Sequence, residues 1–399
     1  MIAPPRLCWG TPRDSAPASV GASSRRPPVL LLLLSALAPL AAQDEVARTL
    51  ADSPAWTLYV VGDGVRLRQR AFPRLFAGAQ FLSVLEVTPG PAVRFDLEAP
   101  GVRRRTSAMG SEAGALAAIN GGFFAIETTG LSTGLLRLDD ALVVPAKDGQ
   151  GSVGLARDGS LVLAVRAAGD WPEMPEALGA GPMLLVSGKV LDHGERQRGI
   201  RHPRTAIGTC DDGRVVCLVV DGRAKEAVGM TFEETATVLL ALGCRDGLNL
   251  DGGGSSTMWL ATRGVCNHPC DDRKFDAAGE RRVANALLVH APAVVVLDDD
   301  QAELRGGGWQ RREGVAVSAA TDARAVFATT LPFAGKWRVA ALAPGPVALL
   351  VYGAEPNANA ASGCEFEVRA GLPVYVTVLP AAASFGIDAL RFVQVVERR

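Results

Sequence analysis

The chain has 399 residues, a length that accommodates two domains, and a formal net charge of −1 at pH 7. This near-neutral balance lacks the basic surplus of nucleic-acid-binding domains, so no nucleic-acid partner is expected. Charged residues make up 21% of the chain, and there are 44 glycines and 25 prolines. That profile is typical of a globular protein with many loops and excludes a disordered chain.

Residues 1–42 have the pattern of an export signal. Arg25 and Arg26 precede the apolar run 29–37, which leads into small residues up to Ala42. The apolar run is shorter than the roughly 20 residues that a membrane-spanning helix needs. We interpret the segment as the signal peptide of an exported protein, periplasmic or extracellular, with an N-terminal membrane anchor as the alternative.

Six cysteines remain after Cys8 of the signal segment, and an even number suits disulfides in an exported protein. Cys266 and Cys270 flank the turn-like tripeptide "NHP" and are candidates for a local bridge. Together with His268 they also resemble a fragment of a zinc site, but no second ligand pair stands nearby. The histidines show no metal spacing such as HxH or HExxH, and no Walker loop or GxGxxG fingerprint is present, so neither a metal nor a cofactor is expected. A GxSxG nucleophile elbow is also absent.

Short strands, rich in β-branched and aromatic residues, are predicted over residues 56–98. A helix is predicted over 109–120, with Ser111 as its N-cap. Hairpins follow, and the one at 152–165 turns on the Asp-Gly pair at 158–159.

The clearest hairpin of the chain spans 204–222 and also turns on an Asp-Gly pair. The segment 230–244 is predicted to be an amphipathic helix. Thr231 caps it, Glu234 stands three residues later as in a capping box, and Gly243 ends it.

After Pro292 nearly every segment is strand-like and separated from the next by Gly/Pro turns, which indicates a small β-sandwich. The predicted fold class is α+β. A mixed, mainly antiparallel sheet domain with few helices covers 43–292, and a C-terminal β-sandwich covers 293–399.

Four short segments place polar groups at the ends of apolar strands, where sheets gather their ligands: "AINGGFF", "RHPRTAIG", "VVDGR" and "LNLDGGGSSTMWL". The candidate residues within them are Asn120, Gly121, Gly122, Arg204, Thr205, Asp221, Arg223, Asp251, Gly252, Gly253, Ser255, Ser256 and Thr257.

The chemistry of these residues suits an anion. Three glycines after Asp251 are costly unless the backbone approaches something closely. Successive glycine amides form a concave anion site, which the hydroxyls of 255–257 extend, and Arg204 offers a planar contact to phosphate. Asp251 and Asp221 are placed to act on a carbon centre or a water. The structural alternatives are tight turns at the glycines and a surface ion pair for Arg204.

Taken in order, the segments resemble the phosphodiester glycosidase family over roughly residues 75–290. The resemblance rests on "AAINGGFF", "GAGPMLL", "HPRTAIG", "VVDGR", "GMTFEETATVLLALGC", "LNLDGGGSSTMWL", "NHPCD" and "RRVANALLV". The family often has Arg where this chain has His268. The resemblance implies a mixed α/β catalytic domain with a pocket that includes Asn120, Arg204, Thr205, Asp221, Asp251, Gly252, Gly253, Ser255, Ser256, Thr257 and Asn285. The C-terminal segments look like a golvesin-type or carbohydrate-binding sandwich.

The implied reaction removes a sugar from a phosphodiester, so the leaving group is a phosphate monoester with a second pKa of about 6. Such a group departs without much protonation, whereas ordinary glycosidases need a general acid. The hypothesis is that Asp251 is the nucleophile or base, with Asp221 second in line. Arg204 and the loop 252–257 hold the phosphate, and Asn120 and Asn285 hold sugar or phosphate oxygens.

The expected partner is a sugar-phosphodiester or phosphorylated glycan, and the sandwich is a candidate for attachment to a glycan or the cell surface. Two alternatives stand beside this hypothesis. One is a phosphodiesterase that breaks the P–O bond, although such enzymes usually use a metal cluster and the sequence lacks His/Asp metal spacing. The other is a phosphoglycan-binding module without catalysis.

Overall fold

The computed structural model describes residues 45–51, 55–166, 169–194, 199–307, 309–312, 315–318, 323–343, 347–352, 359–361, 364–369, 372–380 and 385–395. The predicted signal peptide lies outside them. The α-helices in this part of the chain are α1 (45–51), α2 (Thr106–Glu112) and α3 (Phe232–Ala241), and short 3-10 helices span Gly253–Ser255 and Asp299–Gln301. None of these helices has the length and apolar character needed to cross a membrane.

An eight-stranded sheet forms the centre of the described residues between 45 and 292. Its spatial order is β1 (Thr57–Gly62), β2 (Val65–Leu75), β3 (Gly78–Val87), β15 (Val215–Val220), β14 (Arg204–Cys210), β16 (Cys244–Asn249), β12 (Met183–Val186) and β13 (Lys189–Val190).

Three smaller sheets complete this part. One contains β10 (Leu161–Arg166), β9 (Gln150–Leu155), β11 (Glu176–Ala180), β7 (Leu136–Leu138) and β8 (Ala141–Val144). The second contains β18 (Gly264–Val265), β17 (Met258–Leu260), β6 (Ala117–Asn120), β20 (Ala286–His290) and β4 (Arg94–Glu98). The third pairs β19 (Arg282–Val283) with β5 (Arg104–Arg105).

The strands from Val294 onward form three further sheets. A four-stranded sheet contains β21 (Val294–Asp298), β32 (Ala389–Gln394), β26 (Gly335–Leu342) and β29 (Cys364–Val368). A five-stranded sheet contains β22 (Glu303–Arg305), β25 (Arg324–Thr330), β30 (Pro373–Pro380), β27 (Val347–Tyr352) and β28 (Asn359–Ala361). A three-stranded sheet contains β23 (Gln310–Arg312), β24 (Val315–Ser318) and β31 (Phe385–Ile387). The domain boundary at 292 stays a prediction.

Every ladder between the described strands is antiparallel. A single isolated parallel bridge joins Cys270 and Gly279 in this part of the chain. The predicted fold class, a mainly antiparallel α+β fold with few helices, is therefore confirmed.

Strand β15 shows how the central sheet is buried on both faces. Its residues are all buried, and side chains alternate between faces with a period of two. Leu218 and Val220 join the cluster that includes Leu239 of α3. Cys217 and Val219 face the other way, into the cluster that also contains Ile119 of β6. The central sheet is thus a rigid layer between two cores.

Helix α3 begins at the predicted capping box. Thr231 Oγ1 accepts a hydrogen bond from Glu234 N at 3.1 Å, and Glu234 Oε2 accepts one from Thr231 N at 3.0 Å. The helix buries Phe232, Val238 and Leu239 against the central sheet. The predicted helix 230–244 is confirmed.

Substitution of Thr231 by Ala is expected to lower the free energy of unfolding by about 1 kcal/mol, because it removes one side of the capping box. Urea denaturation checks this value. Thr231→Ser is the matched control, since it keeps the accepting hydroxyl. An equal loss in the Ser variant would show that the hydroxyl is not the cause.

The helix predicted over 109–120 is wrong. Helix α2 ends at Glu112, and Gly114 follows in the left-handed region at φ 62°. Residues 117–120 form the buried strand β6, paired with β20 on one side and β17 on the other. Sheet pairing on both edges outweighs the helix propensity of an alanine-rich run.

The disulfides predicted from the even cysteine count are not present among the described residues, where all six cysteines are free. Cys210 and Cys244 face each other across β14 and β16, but their Sγ atoms are 3.8 Å apart, well beyond an S–S bond of about 2.05 Å. Burial raises the pKa of the Cys217 and Cys266 thiols to about 12. The candidate bridge between Cys266 and Cys270 is open.

Candidate active site

Strand register brings three of the four predicted segments to one end of the central sheet. Arg204 at the start of β14 pairs with Val220 at the end of β15, and Asp221 follows directly. In the next strand, Asn249 of β16 pairs with Ala206, so Asp251 leaves the sheet at the same edge. Neighbouring residues of the sequence motifs therefore converge because antiparallel pairing aligns one strand's start with its neighbour's end.

Asn120 ties three of these segments together. Its Nδ2 donates to the Asp251 carbonyl at 2.6 Å, and its Oδ1 accepts from Thr205 Oγ1 at 2.7 Å and from Thr257 N at 3.0 Å. The side chain is fully buried. Its hydrogen bonds are thus made within the protein, and they fix the position of the loop that begins at Asp251.

Asp251 has the environment of a catalytic carboxylate. Its Oδ1 accepts the Gly252 N–H at 2.9 Å. Burial raises the pKa of Asp251, while the neighbouring Ser255 hydroxyl, the Gly252 N–H and the positive charge of Arg281 oppose the rise. A half-buried carboxylate with a raised pKa, near a cation at the end of a strand, is a candidate for acid–base or nucleophilic chemistry.

The loop after Asp251 uses most of its backbone donors internally. Gly253 N donates to Pro203 O at 2.9 Å, and Ser255 and Ser256 donate to carbonyls of the loop itself. Within 252–257, only Gly254 N donates to none of the described residues. The predicted nest of free glycine amides is therefore reduced to one donor.

The glycines of this loop allow close packing between charged side chains. Gly253 has φ 67°, and a Cβ there would lie 3.0 Å from Arg223 Nη2. A Cβ on Gly254 would overlap the Asp271 carboxylate and the Arg281 guanidinium. The loop backbone thus makes the close approach that the sequence indicated, and the groups it approaches are two arginines.

Three hydroxyls of the loop are buried without a hydrogen-bond partner among the described residues. They belong to Ser255, Ser256 and Thr257. The effect of Ser255 on the pKa of Asp251 reflects its proximity to the carboxylate, not hydrogen-bond geometry. Buried hydroxyls normally find a partner, so this cluster indicates a site for a polar ligand or water.

Gly121 and Gly122 serve packing. Gly121 N donates to Asn285 O at 3.1 Å, and Gly122 N donates to Asn285 Oδ1 at 2.7 Å. A Cβ on Gly122 would overlap the Gly179 carbonyl. Asn285 also donates from Nδ2 to Ser132 Oγ at 2.7 Å. These two amides are occupied, so the geometry gives their predicted phosphate-binding role no support.

Arg204 is a buried cation behind the loop. Its Nε donates to Met230 O at 2.9 Å, its Nη2 donates to Ile200 O at 3.1 Å, and its guanidinium lies 4.0 Å from the centre of the Phe232 ring. Burial lowers the pKa of Arg204 to about 10, so it stays protonated at neutral pH. It forms no ion pair with a described residue and supplies a fixed positive charge.

Arg223 is the exposed cation of the site. It adopts φ 62°, a conformation that non-glycine residues rarely adopt. Its Nη2 lies 3.3 Å from His202 Nδ1, and it has no carboxylate partner among the described residues. Burial, together with Arg204 and Arg223, lowers the pKa of His202. Strain of this kind is found at functional sites.

Arg281 was not predicted from the sequence. It forms a two-pronged ion pair with Asp271, with Nε–Oδ2 2.7 Å and Nη2–Oδ1 2.6 Å. Its charge also acts on Asp251. Arg223 and Arg281 thus lie against adjacent glycines of the loop that follows the carboxylate.

Asp221 is buried and paired with His268. Its Oδ2 lies 2.7 Å from His268 Nδ1, and both carboxylate oxygens accept the His268 backbone N–H at 3.1 Å. Its Oδ1 also accepts from Asn267 Nδ2, which reaches the Ser256 carbonyl at the same distance of 3.0 Å. The imidazole stacks on Phe275 with ring centres 3.9 Å apart. The imidazole is therefore held in one orientation beside the loop.

The described residues contain no group of three or more His, Cys, Asp or Glu side chains that could hold a metal ion. One loop, 251–257, carries or contacts most of the predicted residues. It carries Asp251 and the three hydroxyls, and Arg223 and the Asp221–Asn267 pair lie against it. Asn267 and Arg281 join them as residues that sequence reasoning missed.

Residues 113–290 match the family model described as phosphodiester glycosidase. The predicted resemblance to this family is confirmed. The chain is also 28% identical, over 254 residues, to the N-acetylglucosamine-1-phosphodiester alpha-N-acetylglucosaminidase of Bos taurus. That alignment covers 56% of this chain and 47% of the bovine protein.

A second relative of the chain is an uncharacterised prophage-derived protein of Bacillus subtilis, 30% identical over 151 residues. This alignment covers 38% of the chain and 21% of that protein. The chain thus spans about a fifth of the length of the Bacillus relative and about half of that of the bovine relative. The catalytic domain of the zebrafish N-acetylglucosamine-1-phosphodiester alpha-N-acetylglucosaminidase, solved with its inhibitory pro-peptide, aligns with a TM-score of 0.46 and 21% identity. The alignment covers 60% of this chain and 85% of that structure.

Proposed function

We propose that this protein is a glycoside hydrolase that cleaves the sugar C–O bond of a sugar-1-phosphodiester, such as an N-acetylglucosamine-1-phosphodiester in a glycan or wall polymer. The observation that supports this most is the proximity of one half-buried carboxylate, Asp251, to two arginines, Arg223 and Arg281, that pack against the loop after it. The carboxylate acts at the anomeric carbon, and the cations stabilise the charge on the departing phosphate.

Asp251 acts as the nucleophile or base at the anomeric carbon. Burial raises its pKa, which makes the ionised form more basic and more reactive than an exposed carboxylate. Arg223 and Arg281 stabilise the charge that develops on the leaving phosphate. Gly254 N and the unpartnered hydroxyls add hydrogen bonds to its oxygens. Arg204 contributes a positive charge from behind the loop.

Asp221 acts through His268. Because Asp221 is engaged by His268 and Asn267, it is a poor candidate for direct attack on a carbon. Its carboxylate instead orients the imidazole, which in its protonated form donates from Nε2–H to the phosphate. This arrangement replaces the arginine that the family often has at this position, and Asp221 becomes a positioning residue.

Hydrolysis in ¹⁸O-labelled water tests the proposed reaction. With a sugar-1-phosphodiester as substrate, we expect the label in the released sugar, because attack at the anomeric carbon breaks the C–O bond. Label in the phosphate would identify a phosphodiesterase, and tight binding without product would identify a binding module. Mass spectrometry of both products distinguishes these outcomes.

We further propose that the protein is exported and that its C-terminal sandwich attaches it to a glycan or to the cell surface. The basic and apolar pattern of residues 1–42 supports export. The resemblance of the C-terminal segments to a carbohydrate-binding sandwich supports the attachment role. Cell fractionation tests the first proposal, and a pull-down on cell-surface polysaccharide tests the second.

A further inference from the structure

An arginine-rich cleft of about 640 Å³ lies beside the loop 251–257. Its charged lining residues are Arg103, Arg105, Arg281, Arg282, Asp271 and Glu280. The cleft is built by the short antiparallel pair of β5 and β19, in which Arg105 pairs with Arg282. A concentration of positive charge is notable in a chain whose formal net charge is −1.

The two carboxylates of the cleft are already engaged. Asp271 accepts two hydrogen bonds from Arg281, and Glu280 accepts the backbone N–H of Ser107 at 2.7 Å and its hydroxyl. The three remaining arginines of the cleft are exposed, and none of them forms an ion pair with a described residue. They are Arg103, Arg105 and Arg282.

Arg281 connects the cleft to the reaction centre. It lines the cleft, packs with Asp271 against Gly254, and acts electrostatically on Asp251. A substrate whose scissile phosphate lies beside Arg281 therefore extends its other substituent, the aglycone, towards the unpaired arginines. Arginine is suited to this contact because its planar guanidinium matches phosphate oxygens in two-pronged geometry.

We propose that this cleft is an aglycone subsite that binds a second phosphate group of the substrate, so that the preferred substrates carry repeated phosphates. The inference rests on the proposed function, because it takes the scissile phosphate to lie at the loop 251–257. It adds a substrate class, an anionic and multiply phosphorylated aglycone, that the catalytic residues alone do not specify.

Binding of two matched ligands tests the subsite without requiring turnover. Hexane-1,6-diol bisphosphate carries a second phosphate that hexyl phosphate lacks. In calorimetric titrations at low salt, we expect the parent protein to bind the bisphosphate about 10-fold more tightly. The variant Arg103→Ala/Arg105→Ala/Arg282→Ala should lose this advantage and bind hexyl phosphate as the parent does.

The matched control is Arg157→Ala/Lys189→Ala/Arg245→Ala, which removes the same charge from exposed positions elsewhere. It should keep the advantage of the bisphosphate. An equal affinity of the parent for both ligands, no measurable bisphosphate binding, or an advantage that survives in the cleft variant would each overturn the proposal. If the bisphosphate advantage is present but the ¹⁸O experiment gives no labelled sugar, the proposed reaction fails while the anion subsite stands.

Discussion

Substitution of Asp251 by Asn is expected to lower kcat for a sugar-1-phosphodiester by about 10³-fold or more. The amide can neither attack the anomeric carbon nor accept a proton from water, and loss of a group in either role has an effect of this order. Steady-state kinetics with a substrate of known aglycone measures it. Asp246→Asn is the matched control, because Asp246 also accepts a backbone N–H, from Ser187 at 2.9 Å, but lies away from the loop.

The pH profile of the parent enzyme gives a second test of Asp251. A nucleophile or base must be ionised, and burial raises the pKa of this carboxyl. The acidic limb of kcat/KM should therefore lie above pH of about 4, where an ordinary aspartate titrates. A limb at or below that pH, or an Asp251→Asn variant whose activity is close to that of the parent, would exclude the assignment.

As the pH rises through the folded-state pKa of Asp251, the stability of the protein should fall while its activity rises. Because the folded-state pKa of Asp251 is above its unfolded value, the stabilising effect of the protonated group is present below the unfolded pKa and is lost as the pH rises through the folded pKa. The Asn variant does not ionise and avoids that loss. Its Tm relative to the parent should thus rise with pH from about 4 upward. A difference in Tm that is constant with pH would argue against a buried ionised carboxylate.

Local patterns predicted much of the scaffold. The hairpin 204–222 and the helix that begins after Thr231 depend on turn and capping residues a few positions apart, and both are present. The strand β6 was mistaken for helix because its burial depends on partners far away in the sequence. Local propensity carries no information about those partners.

In the candidate site, too, local sequence patterns predicted some residues, and residues placed by long-range pairing were missed. The sequence indicated Asp251, because a carboxylate followed by three glycines is unusual and can be recognised without any knowledge of the fold. It did not indicate Arg281, whose place beside the carboxylate follows from the pairing of β19 with β5. It also treated the glycine amides as free donors, although Pro203 O and Asn285 Oδ1 accept two of them. Those acceptors come from other segments, so their positions depend on tertiary structure.

Substitution of His268 by Gln is expected to lower kcat/KM by about 10²-fold, mainly through kcat. The imidazole, paired with Asp221 at 2.7 Å, is proposed to donate a hydrogen bond to the departing phosphate, and loss of one such donor has about this effect. Inhibition by a phosphate monoester product should weaken in parallel. Kinetics and inhibition constants for the same variant measure both effects.

A second variant separates this role from a structural one. His268→Arg places a cationic donor where Asp221 can pair with it, so it should recover most of the activity and the product inhibition lost in the Gln variant. His290→Gln is the matched control, because His290 Nε2 also lies near an aspartate, Asp96, at 3.4 Å, but in the strand pair of β20 and β4. If the Arg variant is folded, as judged by its Tm, and is as impaired as the Gln variant, then a cation at this position is not what the reaction requires. If the Gln variant matches the parent, Asp221 and His268 serve the fold alone, and stabilisation of the phosphate is left to Arg223, Arg281 and the hydroxyls of the loop.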